Sequence, residues 1–511
     1  MQRVFHSIRF KVNKGWVAAA TLFLLMNNTE VPRLPHPLVA AIPLVVLITL
    51  LALVITLFGS DSLSGGSQVA LIMGMAVCIA ISMLCYHTPW KAFEERIKKT
   101  VGDIAVTLLI LLCVGMLAGS WMASGVVPTL VYYGVQILSP QFFLVSTCAI
   151  CALISLLSGS SWTTIATIGI AFLGIGEALG VSEAWTAGAI ISGAYFGDKM
   201  SPLSDTTILA SSATGTDIFR HIRYMMFTTV PTILITLAIF FVAGLGFATE
   251  AEMHVGQYTE GLTRTYNISL WTLLVPLLTG VLIARRAPSL VVLFLSSIFA
   301  GIMAIILQPH ILCEIGGSHF SSYHSSLYTL IRGLAITYYG ATGVETGDAA
   351  LNELVSTGGM TGMLNTIWLI LCAMCFGATM VASRMIESIT HFILGFVRTR
   401  LSLVSTTVGT GIFLNITTSD QYISIVLTAD IYRKAYSDEG YESCLLSRTC
   451  EDAATVTSVL VPWNTCGMTQ STVLGIPTLT YLPHCFFNLI SPLMTIIVAA
   501  IGWKITRKQP Q

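Results

Sequence analysis

The sequence predicts an all-α polytopic membrane protein built from two inverted-topology repeats, each with a re-entrant hairpin and a broken helix. Three observations carry this prediction. The 511-residue chain is 54% apolar and only 10% charged, with a mean hydropathy of +0.80. Its apolar runs are continuous. Two stretches broken by Gly, Ser, Thr and Pro resemble each other at an offset of 260 residues.

A soluble protein needs about a quarter of its residues charged to cover its surface. This surface must instead face lipid, where every spanning backbone satisfies its own hydrogen bonds, and helices do that. Continuous apolar runs disfavour a β-barrel, whose strands alternate. Basic and acidic residues balance at 25 each, and no nucleic-acid partner is expected. Two pairs, Cys148/Cys151 and Cys372/Cys375, have Cys-x-x-Cys spacing inside apolar runs without flanking charge. They read as small apolar helix residues.

Residues 1–37 read as a cytoplasmic segment, and residues 1–25 as dispensable, because Met26 offers a natural start. Its apolar run Gly15–Met26 is too short to span. The first repeat is placed at 38–247, with a hairpin at about 142–180 and a broken helix at about 184–213. An external loop follows at 248–268. The second repeat takes 269–503, with an external stretch at 308–360, a hairpin at about 401–430 and a broken helix at about 450–470. Residues 504–511 form a cytoplasmic tail. Spans are expected near 38–58, 69–86, 103–123, 224–247, 270–284, 289–307, 362–382 and 484–503.

Cytoplasmic loops carry the Lys/Arg excess. With both termini inside, all but three of the 25 basic residues are cytoplasmic. Arg264 and Arg332 fall outside, and Lys199 falls near or within the membrane.

The 260-residue offset aligns Ser160 and Ser161 with Asp420 and Gln421, Pro202 with Pro462, Ser204 with Asn464, and Asp205 with Thr465. One hairpin enters from each side, so the halves are inverted, which places a site near mid-membrane between them. Proline frees a backbone carbonyl one turn earlier and opens the helix. Freed carbonyls with Ser, Thr, Asn and Asp oxygens suit a hard cation. The candidate ion-binding and proton-coupling residues are Ser160, Ser161, Asp198, Ser201, Ser204, Asp205 and Thr206, with Thr418, Ser419, Asp420, Asn464 and Thr465. Sodium is placed at Asp205, Asn464, Ser160 and Thr418. A helix centre holds an Asp at a cost of about 2.5–3.5 kcal/mol, so Asp198 and Asp205 are read as functional, though Lys199 could neutralise Asp198. Glu451 and Asp452 stand near the inner face beside Arg448, where a surface ion pair and a role in ion access both remain open. Asp430 with Arg433 reads as a surface pair, and Glu345 and Asp348 as solvated. His310, His319 and His324 match no metal-ligand spacing.

The stretch Phe196-Gly-Asp-Lys-Met-Ser-Pro-Leu-Ser-Asp-Thr-Thr207 resembles the signature of the NhaC sodium/proton antiporters. Cys450-Glu-Asp-Ala-Ala-Thr-Val-Thr-Ser-Val-Leu-Val-Pro-Trp-Asn-Thr-Cys-Gly467 is similar to that family's second motif, departing from it at Val459. The resemblance spans roughly 38–503. It implies a multi-pass protein of the bacterial inner membrane, homodimeric and elevator-like, that exchanges sodium for protons without a cofactor. Some members are similar to malate–lactate or amino-acid exchangers, so a sodium-coupled organic-anion or amino-acid carrier is the alternative. Its mark would be an arginine or a further serine pocket at mid-membrane for the substrate carboxylate, and no well-placed arginine is evident from the sequence. An intramembrane enzyme would need a nucleophile with its base or a motif such as His-Glu-x-x-His, which is absent. A channel would lack alternating access.

Overall fold

The computed structural model describes residues 34–58, 65–247, 251–317, 327–344, 352 and 355–507. The start at Met26, Glu345, Asp348, His319 and His324 lie outside the described residues, as does most of the amino-terminal segment. The described chain is helical, with two isolated bridges, Thr342–Thr357 and Tyr441–Arg507. Among the described residues, eight helices are long and apolar enough to cross a membrane, or up to ten if each of two bent pairs is one span.

Helices α1 (Pro37–Phe58) and α2 (Gly66–Tyr86) pair at one edge, and the amphipathic α3 (Trp90–Asp103) leads into α4 (Ala105–Ala123) and α5 (Val126–Ile137). The first helix–turn–helix follows. Its arms are α6 (Pro140–Ser158) and a segment made of α7 (Ser161–Thr164), a π turn (Ile165–Gly169) and α8 (Ile170–Ala178). Then come α9 (Glu183–Met200), a break, α10 (Asp205–Thr214) and the long α11 (Ile218–Gly246).

The expected external loop 248–268 is largely a helix, α12 (Ala251–Thr265), whose last turn holds an i,i+4 pair between Glu260 and Arg264. The run 270–284 is not a straight span. A 3-10 turn (Leu270–Leu273) and α13 (Leu274–Ala284) bend by 92° from the end of α12. After α14 (Ser289–Leu307), the stretch expected to be a solvated loop forms α15 (Pro309–Ile315) and α16 (Leu327–Tyr339). Gly333 lets α16 lie against the Leu312 carbonyl, which a Cβ there would meet at 1.9 Å.

The second half contains α17 (Gly359–Gly362), α18 (Leu364–Ala382) and α19 (Met385–Leu394), then a second helix–turn–helix of α20 (Arg400–Thr418) and α21 (Gln421–Asp438). Next are α22 (Ser443–Cys450), a π turn (Glu451–Thr455), a 3-10 turn (Ser458–Leu460), a break and α23 (Thr465–Leu474). The short α24 (Thr478–Tyr481) and a 3-10 turn lead into α25 (Phe486–Ile501), across a 56° bend.

Element limits recur at the 260-residue spacing: α6 and α20 end at Ser158 and Thr418, and α10 and α23 begin at Asp205 and Thr465. The first arms, α6 and α20, are themselves long and apolar enough to cross a membrane. Helices α6 and α9 pack closely along a seam permitted by glycine. A Cβ at Gly193 would meet the Cys148 carbonyl at 2.1 Å, and one at Gly197 the Ala152 carbonyl at 2.2 Å. Close backbone approach of this kind is how apolar helices associate in lipid, where no hydrophobic force separates helix from solvent.

Candidate functional site

Each hairpin tip sits on a helix break. In the first tip, Gly159 takes a left-handed φ of 68°, and its Cα faces the Leu203 backbone so closely that a Cβ would stand 2.7 Å from it. Ser160 then caps α7, its hydroxyl accepting the Thr163 N–H at 3.2 Å. In the second tip Ser419 has φ 59°, and Asp420 caps α21 by accepting the Ile423 N–H at 2.8 Å. The Thr465 N–H donates to the Ser419 carbonyl at 2.8 Å, tying tip to break. Such caps satisfy donors that a helix start would otherwise leave unpaired at depth.

Asp198 lies in the last turn of α9 and is only 6% exposed. One of its carboxylate oxygens accepts both the Ser161 hydroxyl at 2.7 Å and the Ser161 N–H at 3.1 Å. At the 260-residue spacing the same contact recurs without charge: the Ser458 hydroxyl donates to Gln421 Oε1 at 3.0 Å. Ser160, Asp198, Ser204, Asp205 and Thr206 line one cleft of about 70 Å³. Thr107, Ser289, Gln421 and Tyr422 also line it, and no Lys, Arg or His does. Asp205 is exposed to this cleft rather than buried, since it starts α10 at the mouth of the break.

The other predicted residues stand apart from the cleft lining. Ser201 is buried and accepts the Leu203 N–H at 3.2 Å. Asp420 is 4% exposed and accepts a long hydrogen bond from Thr465 Oγ1 at 3.4 Å. Thr418 donates to the Leu414 carbonyl at 2.8 Å, and Ser419 Oγ is buried without a partner. Asn464 Nδ2 donates to the Asn415 carbonyl at 3.1 Å. Asn415 in turn donates to the Ala454 carbonyl and to Thr457 Oγ1. The four sodium ligands expected together are therefore divided: Asp205 and Ser160 line the cleft, while Asn464 and Thr418 do not.

The freed-carbonyl cage is also corrected. At the Pro202 break the Asp198 carbonyl accepts the Ser201 N–H, and the Lys199 carbonyl accepts the Thr207 hydroxyl at 3.0 Å. Buried carbonyls are paired wherever a donor is in reach, so the cleft offers side chains more than backbone. At the other break, Pro462, the Tyr481 hydroxyl donates to the Val459 carbonyl at 3.0 Å.

Lys199 does not neutralise Asp198. It points the other way, fully buried, and pairs with Asp452 while donating to Ser491 Oγ at 3.1 Å. Glu451, Asp452 and Arg448 are not near a surface; all three have 0% exposure. Arg448 lies 3.9 Å from Asp452 and stacks over the Tyr224 ring at 4.8 Å. Arg448 is thus a fully buried arginine, though outside the cleft. Sequence reasoning missed it because the π turn at 451–455 draws this charged segment inward, and no sequence signal marks a π turn. Gln421 was legible as the repeat partner of Ser161. Asp430 and Arg433 do form an exposed pair at 2.8 Å. Among the described residues no group of His, Cys, Asp or Glu is arranged to hold a metal.

A family model described as the Na+/H+ antiporter family matches residues 23–209 and 193–503. The chain is 36% identical over 438 residues to the Na(+)/H(+) antiporter NhaC of Alkalihalophilus pseudofirmus, covering 85% of this chain and 91% of that protein. It is 33% identical over 427 residues to the Na(+)/H(+) antiporter NhaC of Bacillus subtilis, covering 83% of this chain and 90% of that one. A third relative, the Malate-2H(+)/Na(+)-lactate antiporter of Bacillus subtilis, is 31% identical over 437 residues, with 85% and 89% covered. With matches this long, over both the cleft and the second break, the chain is a member of the Na+/H+ antiporter family.

Proposed function

We propose that this protein exchanges sodium ions for protons across the membrane, with the Asp198–Asp205 cleft as its cation site. The observation that carries the reading is the lining: two carboxylates, four hydroxyl side chains of Ser and Thr on the hairpin and break, and no cationic residue. Oxygen donors of this kind suit a hard cation. Ionised, the aspartates attract sodium; protonated, they release it, and that alternation is what antiport requires.

A cleft of about 70 Å³ has room for a cation and a few waters, at roughly 10–15 Å³ for each. An organic acid would need more space and a counter-charge for its carboxylate. The third relative makes such a substrate the second reading, and the buried Arg448 is the residue it would use. Arg448 does not line the cleft, which favours sodium and protons.

The orientation belongs to the same proposal. The Lys/Arg distribution supports an orientation with both termini in the cytoplasm of a bacterial cell and the hairpins entering from opposite sides. The cleft is lined by Thr107 and Ser289 from the amino-terminal ends of α4 and α14. Arg285 and Arg286 precede α14 with two residues between, so in this orientation the cleft opens inward. Return to the outside would carry hairpin and break together, as a homodimer of elevator type. The ion gradients supply the energy, without a cofactor. Dye-monitored proton flux in everted vesicles tests the function, with sodium, malate and amino acids added in turn. Proton movement on sodium alone is the expected result, and movement on malate or an amino acid alone would favour the second reading.

A further inference from the structure

Among the buried acids that the antiport reading leaves unused, one has no partner. Glu451 has 0% exposure, yet neither of its carboxylate oxygens accepts a hydrogen bond and it forms no ion pair. Asp452, its neighbour, is already engaged by Lys199 and by the Ser491 hydroxyl at 3.2 Å. Arg448 lies 3.9 Å from Asp452, and none of its three side-chain nitrogens has a hydrogen-bond partner. An isolated carboxylate in a dry interior costs several kcal/mol, and such groups either find a counter-charge or hold a proton. Thr455, on the same π turn, also has an unpaired hydroxyl that could turn toward it.

We propose that Glu451 is a proton-carrying group of the exchange, at a buried site separate from the sodium cleft. This rests on the cleft reading above. With Glu451 protonated, Lys199, Arg448 and Asp452 together carry one net positive charge. When it gives up its proton as H⁺, the four side chains are neutral. That change is felt at the cleft because adjacent residues of α9 serve both sites, Asp198 facing Ser161 and Lys199 facing Asp452. A positive charge gained behind Asp198 opposes a cation bound in front of it. In a partly polar interior, a change of one unit charge behind the site alters sodium affinity on the order of tenfold. Protonation thus expels sodium and deprotonation readmits it.

The ionisable groups around Glu451 come from several elements. Arg448, Cys450 and Asp452 lie on its own segment, Asp198 and Lys199 on α9, and Asp205 on α10. Tyr432 and Tyr436 come from α21, and His221 and Tyr224 from α11. From α20 and α25 the turn meets Asn415 and Ser491, which do not titrate. His221 is occupied with Ser447, Nδ1 to Oγ at 2.8 Å. Among the described acids here, Glu451 is the fully buried one with both carboxylate oxygens unpartnered, whereas Asp205 is exposed at the cleft.

The test is Glu451→Gln in proteoliposomes, measured two ways at alkaline pH. Exchange of radiolabelled for unlabelled sodium needs no proton carrier and should proceed near the wild-type rate at saturating sodium, with the half-saturating sodium concentration raised roughly tenfold because Gln fixes the neutral state. Sodium-driven proton movement should fall roughly tenfold or more. Wild-type proton movement, or loss of both activities, would overturn the proposal. Asp198→Asn separates the two readings: it should abolish sodium–sodium exchange, and if it does not, the cleft reading fails rather than this one. Should Glu451→Gln not be recovered from membranes, Glu451→Asp decides. It keeps a carboxyl, so proton exchange with a displaced pH profile supports the assignment, and an unchanged profile contradicts it.

Discussion

Replacing Gly197 by Ala adds one methyl group beside the residue that matters most. The new Cβ would stand 2.2 Å from the Ala152 carbonyl oxygen and 2.5 Å from the Leu156 nitrogen, both backbone atoms of α6 that cannot turn aside. Relief requires α9 and α6 to part by roughly 1 Å, and overpacking of this kind costs about 1–3 kcal/mol. The larger effect is functional. Asp198 follows Gly197 directly, and its 2.7 Å bond to Ser161 spans from α9 to the hairpin that α6 carries. A 1 Å displacement lengthens that bond beyond hydrogen-bonding distance, and misplacement on this scale can lower a rate about 100-fold. The assay is sodium-dependent proton flux in proteoliposomes, with thermal unfolding of the detergent-solubilised protein alongside. Gly246→Ala is the control, since a Cβ there meets nothing within 4 Å. Wild-type flux and unfolding temperature for Gly197→Ala would refute the claim that this seam positions Asp198.

Three further outcomes are expected. Asn464→Ala removes a cap that accepts the Cys466 N–H at 3.0 Å and a tie to Asn415; it should cost about 1 kcal/mol of stability and slow turnover, leaving the sodium concentration for half-maximal rate unchanged. Asp430→Asn breaks only an exposed pair, worth about 0–1 kcal/mol, and full exchange activity should survive. A single cysteine at exposed Lys434, on a cysteine-free background, should react with impermeant reagent only from the cytoplasmic side; labelling from outside intact cells would invert the topology.

Helix positions were legible because apolar runs and Pro/Gly breaks are local signals. The runs at 38–58 and 289–307 became α1 and α14 almost unchanged. The first cluster was legible too, because Ser160, Asp198 and Asp205 are polar groups that a lipid-facing helix has no use for. What the sequence hid depends on orientation. Lys199 follows Asp198 directly, and only the helix geometry shows that the two point to different partners. Arg448 and Glu451 looked like residues of a helix end, because a run dense in charge usually meets water. The π turn and the packing of α20, α21 and α25 around it bury them instead. Helix α16 escaped notice since Arg332 and two threonines interrupt its apolar pattern. The division of Asn464 and Thr418 from the cleft follows from acceptors within reach, the Asn415 and Leu414 carbonyls, that pair them first.

The central claim is that sodium binds at the cleft and is exchanged there for protons. Each carboxylate, about 4 Å from a cation at an effective dielectric near 20, contributes about 4 kcal/mol of attraction. Removing both charges while keeping the side-chain shapes isolates that contribution. The measurement is sodium-induced proton movement in proteoliposomes, across the full pH range, for the wild type and the Asp198→Asn, Asp205→Asn double variant. The account predicts robust proton movement from the wild type and none from the variant at any pH, with both proteins recovered folded. Near-normal exchange by the double variant would contradict it and move the cation site elsewhere, Asp420 first.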